Sequence, residues 1–105
     1  MYKLGFYVPE THLEAVKRSC FDAGAGRIGN YEHCCWQVPG QGQFRPMQGS
    51  EPYVGVLGEL EQLPEYRVEM VCDASVVRAV VAAMKAAHPY ETPAWDLVNL
   101  VVELP

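Results

Sequence analysis

An imidazole, a phenol and a carboxylate follow one another closely at His88, Tyr90 and Glu91, in the run HPYETPAWDLVNL over residues 88–100. Imidazole nitrogen and carboxylate oxygen ligate borderline divalent ions such as zinc and copper, and the same groups serve acid–base catalysis. Far upstream, Glu10 and His12 repeat the pair. Brought together, two imidazoles and two carboxylates would make either a metal site or a hydrogen-bonded network. The candidate metal ligands are therefore His88, Glu91, His12 and Glu10, with zinc or copper as the ion. Tyr90, Trp95 and Arg27 are the candidate ligand-binding side chains. Each residue also has a plainer role. His88 follows an apolar helix, where a ring closing the helix end suits the dipole. Tyr90 and Glu91 serve equally as surface or interface residues, and Trp36 and Trp95 as packing in an oligomer cleft. Arg27 fits a carboxylate across a subunit boundary as well as an anionic ligand, and Thr92 is a turn residue with no base placed beside it.

Other motifs carry less chemistry. The glycines of GAGRIG (residues 24–29) follow a helix. A dinucleotide fingerprint needs them after a strand and opening a helix, so here they read as a tight turn with positive φ at Gly24, Gly26 and Gly29. Ser19, Ser50 and Ser75 lack a G-x-S-x-G context. Cys20, Cys34, Cys35 and Cys72 show no C-x-x-C spacing and read as reduced, mostly buried thiols. A soft-metal site at Cys34 or Cys35 with His33 is the lesser alternative.

The elements that must position these groups follow from periodicity. Tyr2 to Val8 alternates, with Leu4, Phe6 and Val8 on one face, as a half-buried strand does. Thr11 and Glu14 have capping-box spacing ahead of a helix striped by Leu13, Val16, Cys20 and Phe21. Tyr31 to Val38 has strand composition. The Gly/Pro-rich stretch 39–64 reads as a long arm, with short strands at Gln43 to Met47 and Tyr53 to Leu57 and a helical turn around Leu60 and Leu63. Tyr66 to Asp73 is a strand, Ser75 a cap, and Val77, Val80, Val81 and Met84 the stripe of a second helix. Pro89 ends that helix, and Trp95 to Leu104 is the last strand. The order is β-α-β-β-α-β in a single domain, residues 1–105. Its simplest solution is an α+β, ferredoxin-like sandwich with two helices on one face of an antiparallel sheet. In that topology Glu10 and His12 approach the 88–91 loop and the arm at one end of the sheet.

The last strand is apolar on both sides: Val98, Leu100, Val102 and Leu104 on one, Trp95, Leu97 and Val101 on the other. A second apolar face calls for a cover. A homo-oligomer supplies one; the arm folding back is the alternative.

A formal charge of −5 argues against a nucleic-acid partner, which needs a basic face, and against an anionic membrane surface. No apolar run approaches a membrane span. The first residues carry no cleavage pattern, and a cytoplasmic location is the default expectation.

The loop HPYETPAWDL, with GAGRIGNYEHCCW upstream, resembles the CutA-like inserted domain of the YqfO/NIF-three-like family, here as a free-standing chain. The HPYE-x-P motif is also similar to the CutA family of small trimeric ferredoxin-like proteins, often associated with divalent-cation tolerance. The resemblance covers essentially the whole chain and implies a place beside the PII-like signalling proteins. It does not imply the hydrolase-like activity suggested for full-length members, whose dinuclear metal site lies in flanking domains outside these residues. Composition and resemblance together give a small oligomeric binding or regulatory protein, a trimer by preference. It would hold a divalent metal or small ligand at an inter-subunit cleft. A hydrolase acting on a small phosphate or nucleotide substrate and a purely structural interaction module are the rivals.

Overall fold

The computed structural model describes residues 1–105. Alternation in the first segment produces β1 (Tyr2–Pro9), and a single 3-10 turn (Glu10–His12) leads into α1 (Leu13–Asp22). Two long strands follow, β2 (Trp36–Phe44) and β3 (Glu61–Cys72), then α2 (Val77–Ala87) and β4 (Trp95–Asn99). The antiparallel sheet has the order β2-β3-β1-β4, and both helices pack on one face, as expected of the ferredoxin-like α+β class. No helix is long and apolar enough to cross a membrane.

The core lies between sheet and helices. Leu4, Phe6 and Val8 of β1 are 0% exposed. Register places Phe6 opposite Val68 and Leu4 opposite Met70, so both strands aim the same parity inward. The stripes of the two helices close over them, with Val16 and Cys20 from α1 and Val80 and Met84 from α2. Burial pushes the Cys20 thiol up to about 12, with the neighbouring Cys72 adding to it, so this thiol stays protonated and inert.

Several expectations are corrected. The Thr11–Glu14 capping box does not form: α1 begins at Leu13 with no side-chain cap, Thr11 Oγ1 pairs with His12 Nδ1, and Glu14 pairs with Lys17. Ser75 likewise binds Asp73 rather than capping α2. The second strand starts at Trp36 and runs straight through Pro39, Gly40 and Gly42. It is an edge strand, where a proline need not donate. The helical turn around Leu60 and Leu63 is instead the start of β3, and no strand forms at Tyr53 to Leu57. Pro64 is tolerated there because β1 ends at Pro9, opposite Glu65. The last strand stops at Asn99, which pairs with Tyr2. The Leu100 N–H bonds the Met1 carbonyl, and residues 101–105 make no backbone hydrogen bond to the sheet.

The far face of the sheet is not the apolar surface expected. At its centre Arg67 donates to both oxygens of Asp96, at 3.1 and 3.2 Å, across β1 at Gly5. Its guanidinium also lies 4.9 Å from the centre of the Tyr7 ring, with Glu69 and Lys3 extending the network. Gly5 leaves the space that the guanidinium fills. The apolar residues left bare lie along the edges: Trp36 and Val38 on β2, then Val98 on β4 and, beyond it, Val101, Val102 and Leu104. The arm does not cover them.

Candidate ligand-binding cleft

The β2–β3 hairpin outruns β1, and the chain between its strands (residues 45–60) turns back towards the 88–94 loop. The three segments enclose a cleft of about 740 Å³, the size of a small-molecule site. Phe44, Tyr53 and Tyr90 supply aromatic wall, Glu65 and Glu91 carboxylates, and Arg45 the one cation of the lining.

His88 sets the loop. It is 6% exposed, its Nε2 lies 2.7 Å from the Tyr7 carbonyl oxygen, and its Nδ1 accepts the Tyr90 N–H at 3.1 Å. A ring that accepts at Nδ1 and donates from Nε2 is the neutral tautomer. Burial holds its pKa below the ordinary 6.5, although the Tyr7 carbonyl and the Glu65 charge favour protonation. The structural role therefore accounts for both nitrogens. It closes the end of α2 by joining the loop to β1.

Tyr90 crosses to the arm. Its hydroxyl donates to Glu65 Oε2 at 2.7 Å, and its ring lies beside those of Phe44 and Tyr53, with centroids 6.0 and 6.5 Å away. Burial, then the Glu65 carboxylate, pushes its pKa well above the usual phenol value, so it remains a donor. Glu91 is exposed and its Oε2 accepts the Glu51 N–H at 2.9 Å, a second tie between loop and arm. Gly42 lies opposite, and a Cβ there would displace the Glu65 carboxylate from its present position.

Of the residues singled out from sequence, Tyr90 and Glu91 line the cleft and His88 lies beneath it. His12 stands at its margin, edge-on to Tyr53 with centroids 5.4 Å apart. Glu10 is exposed on the 3-10 turn and does not line the cleft. No three His, Cys, Asp or Glu side chains are grouped to hold a metal ion. Trp95 lies on edge strand β4, opposite Phe6, with the Lys85 ammonium 4.8 Å from its ring centre. Arg27 is exposed at the other end of the sheet. There the GAGRIG turn is pinned by Gly26 N–H to the Val71 carbonyl, and Gly24, Gly26 and Gly29 have φ of 112°, 75° and 57°. Sequence reasoning passed over Glu65, Phe44 and Tyr53. Glu65 had a signal, since Glu65, Arg67 and Glu69 alternate along β3 on the face away from the core. The two aromatics had none.

No family model matches the chain. The GTP cyclohydrolase 1 type 2 homolog of Mycobacterium leprae is 53% identical over 95 residues, 90% of this chain and 25% of that protein. Among solved structures, a Bacillus cereus protein related to NIF3 superposes with a TM-score of 0.80 at 43% identity, over 94% of this chain and 25% of that one. CutA from Xylella fastidiosa gives 0.69 at 23% identity, over 99% of this chain and 86% of that one, a likeness of fold. The chain spans about a quarter of the length of the curated relatives it matches. High identity to the first group over nearly all of these residues, with the fold of the second, means that the chain belongs to the NIF3-related, YqfO-like family and corresponds to its CutA-like domain.

Proposed function

We propose that this domain is a binding or regulatory module that holds a small organic ligand in the cleft between the arm and the 88–94 loop. The observation that carries the reading is the cleft itself: about 740 Å³, walled by aromatic rings, with two carboxylates at hand. Loop and arm are tied across it by the Tyr90–Glu65 and Glu91–Glu51 bonds, so an occupant that touches both would brace the arm. Native mass spectrometry of freshly purified protein tests this: a retained small molecule is expected, lost when Tyr90→Ala opens the wall. Bare protein that no small molecule stabilises against heat would remove the reading.

A zinc or copper ion at Glu10, His12, His88 and Glu91 is supported less. His88 would have to give up the Tyr7 carbonyl or the Tyr90 N–H, each worth about 1 kcal/mol or more when buried. Calorimetric titration with zinc is expected to give no stoichiometric heat beyond that of magnesium. Stoichiometric uptake abolished in His88→Ala would reverse this ranking. The name GTP cyclohydrolase 1 type 2 homolog carried by the relatives favours a nucleotide substrate, the hydrolase rival. Two carboxylates against one guanidinium suit a polyphosphate poorly, and nucleotide turnover by this chain alone would be needed to restore it.

The module is further proposed to work as a homo-oligomer, a trimer by preference. Apolar side chains exposed on both edge strands and on the segment after β4 support this, Val101 at 91% and Leu104 at 97% among the latter. Such side chains are normally covered when contiguous. Val101→Asp with Val102→Asp is expected to convert a sedimenting oligomer to monomer with unchanged circular dichroism. An undisturbed oligomer would place the contact elsewhere.

A further inference from the structure

We infer that the cleft selects an organic cation, a protonated or quaternary amine on an apolar body. This rests on the cleft being a small-ligand site and adds the charge of what it takes.

The aromatic wall is one ground. Phe44 and Tyr53 flank Tyr90 at tilts of 58° and 46°, so the three rings do not stack into a flat slot for a planar guest. Tilted rings present faces and edges to a rounded one. The face of an aromatic ring attracts a cation, most strongly where water is excluded. The Tyr90 hydroxyl donates a hydrogen bond to a carboxylate, which polarises the O–H bond and leaves that ring richer in electrons.

The carboxylates are the other ground. Glu65 uses Oε2 for Tyr90 and Glu91 uses Oε2 for the Glu51 N–H, leaving Oε1 of each without a partner. A neutral occupant would strip water from these oxygens and offer nothing in return, and an anion would be repelled by them. A cationic nitrogen satisfies them. Arg45 opposes this within the lining, but it is exposed and has no carboxylate partner, so its charge is spread into water. Two carboxylates against one solvated guanidinium leave the lining net negative.

The test uses three probes of like shape on the whole chain, followed by the amide and aromatic resonances of the cleft: phenyltrimethylammonium, neutral tert-butylbenzene and anionic benzenesulfonate. The cation is expected to bind about tenfold or more tightly than the neutral probe, and the sulfonate not at all. Glu65→Gln keeps an acceptor for Tyr90 and is expected to weaken the cation about tenfold, with no effect on the neutral probe. Glu91→Gln, which lies on the surface, supplies the same comparison should the first variant misfold. Equal or tighter binding of the neutral or anionic probe would overturn the charge assignment and leave the small-ligand reading standing. Silence of the cleft resonances to all three would overturn both.

Discussion

His88→Ala is expected to cost the fold about 3 kcal/mol, read as a lower urea midpoint at unchanged slope. The loss has three sources. The Tyr7 carbonyl loses its donor, the Tyr90 N–H loses its acceptor, and a ring-sized void opens below the cleft. In a domain of this length that corresponds to a melting temperature lower by about 15 °C. A second experiment separates the hydrogen bonds from the charge. His88 is buried and its pKa is held below 6.5 in the folded chain, so the unfolded chain binds the extra proton first. Stability is then complete above pH 6.5. It declines as pH falls from 6.5 towards the lowered folded value and is fully penalised below it. His88→Gln can still donate to the Tyr7 carbonyl but does not titrate. It is expected to start less stable and to lack this part of the acid slope. An acid limb identical in His88→Gln and the parent would show that His88 is not the group that protonates.

How much of this was legible depended on whether the deciding partner was near in sequence. Leu4, Phe6 and Val8, and the stripes ending in Phe21 and Met84, fixed the sheet and helices because each pattern needs only its own segment. The ends of strands were misread because a strand ends where its partner ends. Val101 to Leu104 continue the alternation, but the ladder with β1 runs only from Trp95 to Asn99. Conversely Pro39 and Gly42 looked like terminators, yet β3 holds them in register from Trp36 to Phe44. The last strand's second apolar side suggested a bare sheet face. Arg67, 29 residues away in sequence, answers Asp96 there instead. The same limit applies to the site. Two prolines framed the 88–91 loop and made it visible. That His88 commits both ring nitrogens, to the Tyr7 carbonyl and the Tyr90 N–H, depends on the fold.

The family-like GAGRIG run carries the second large effect, and its role is architectural. Gly26→Ala is expected to destabilise the chain by about 3 kcal/mol while leaving probe binding at the cleft of the folded protein unchanged. Gly26 has φ of 75° and is fixed at both ends, its N–H on the Val71 carbonyl and its own carbonyl on the Cys34 N–H, both at 2.8 Å. A Cβ would meet the Cys34 carbonyl oxygen and the Phe21 ring at 2.8 Å. The first neighbour is backbone and the second is a core ring stacked on His33, centroids 4.9 Å apart. Neither yields without disturbing the junction of α1 and β3, so strain and overpacking add. Gly29 shares the positive φ, at 57°, but a Cβ there meets nothing within 4 Å. Gly29→Ala should therefore cost only the backbone term, about 1 kcal/mol. Denaturation of the two variants side by side checks the argument. Equal losses would mean that backbone conformation alone, and not the crowding at Cys34 and Phe21, explains why glycine stands at position 26.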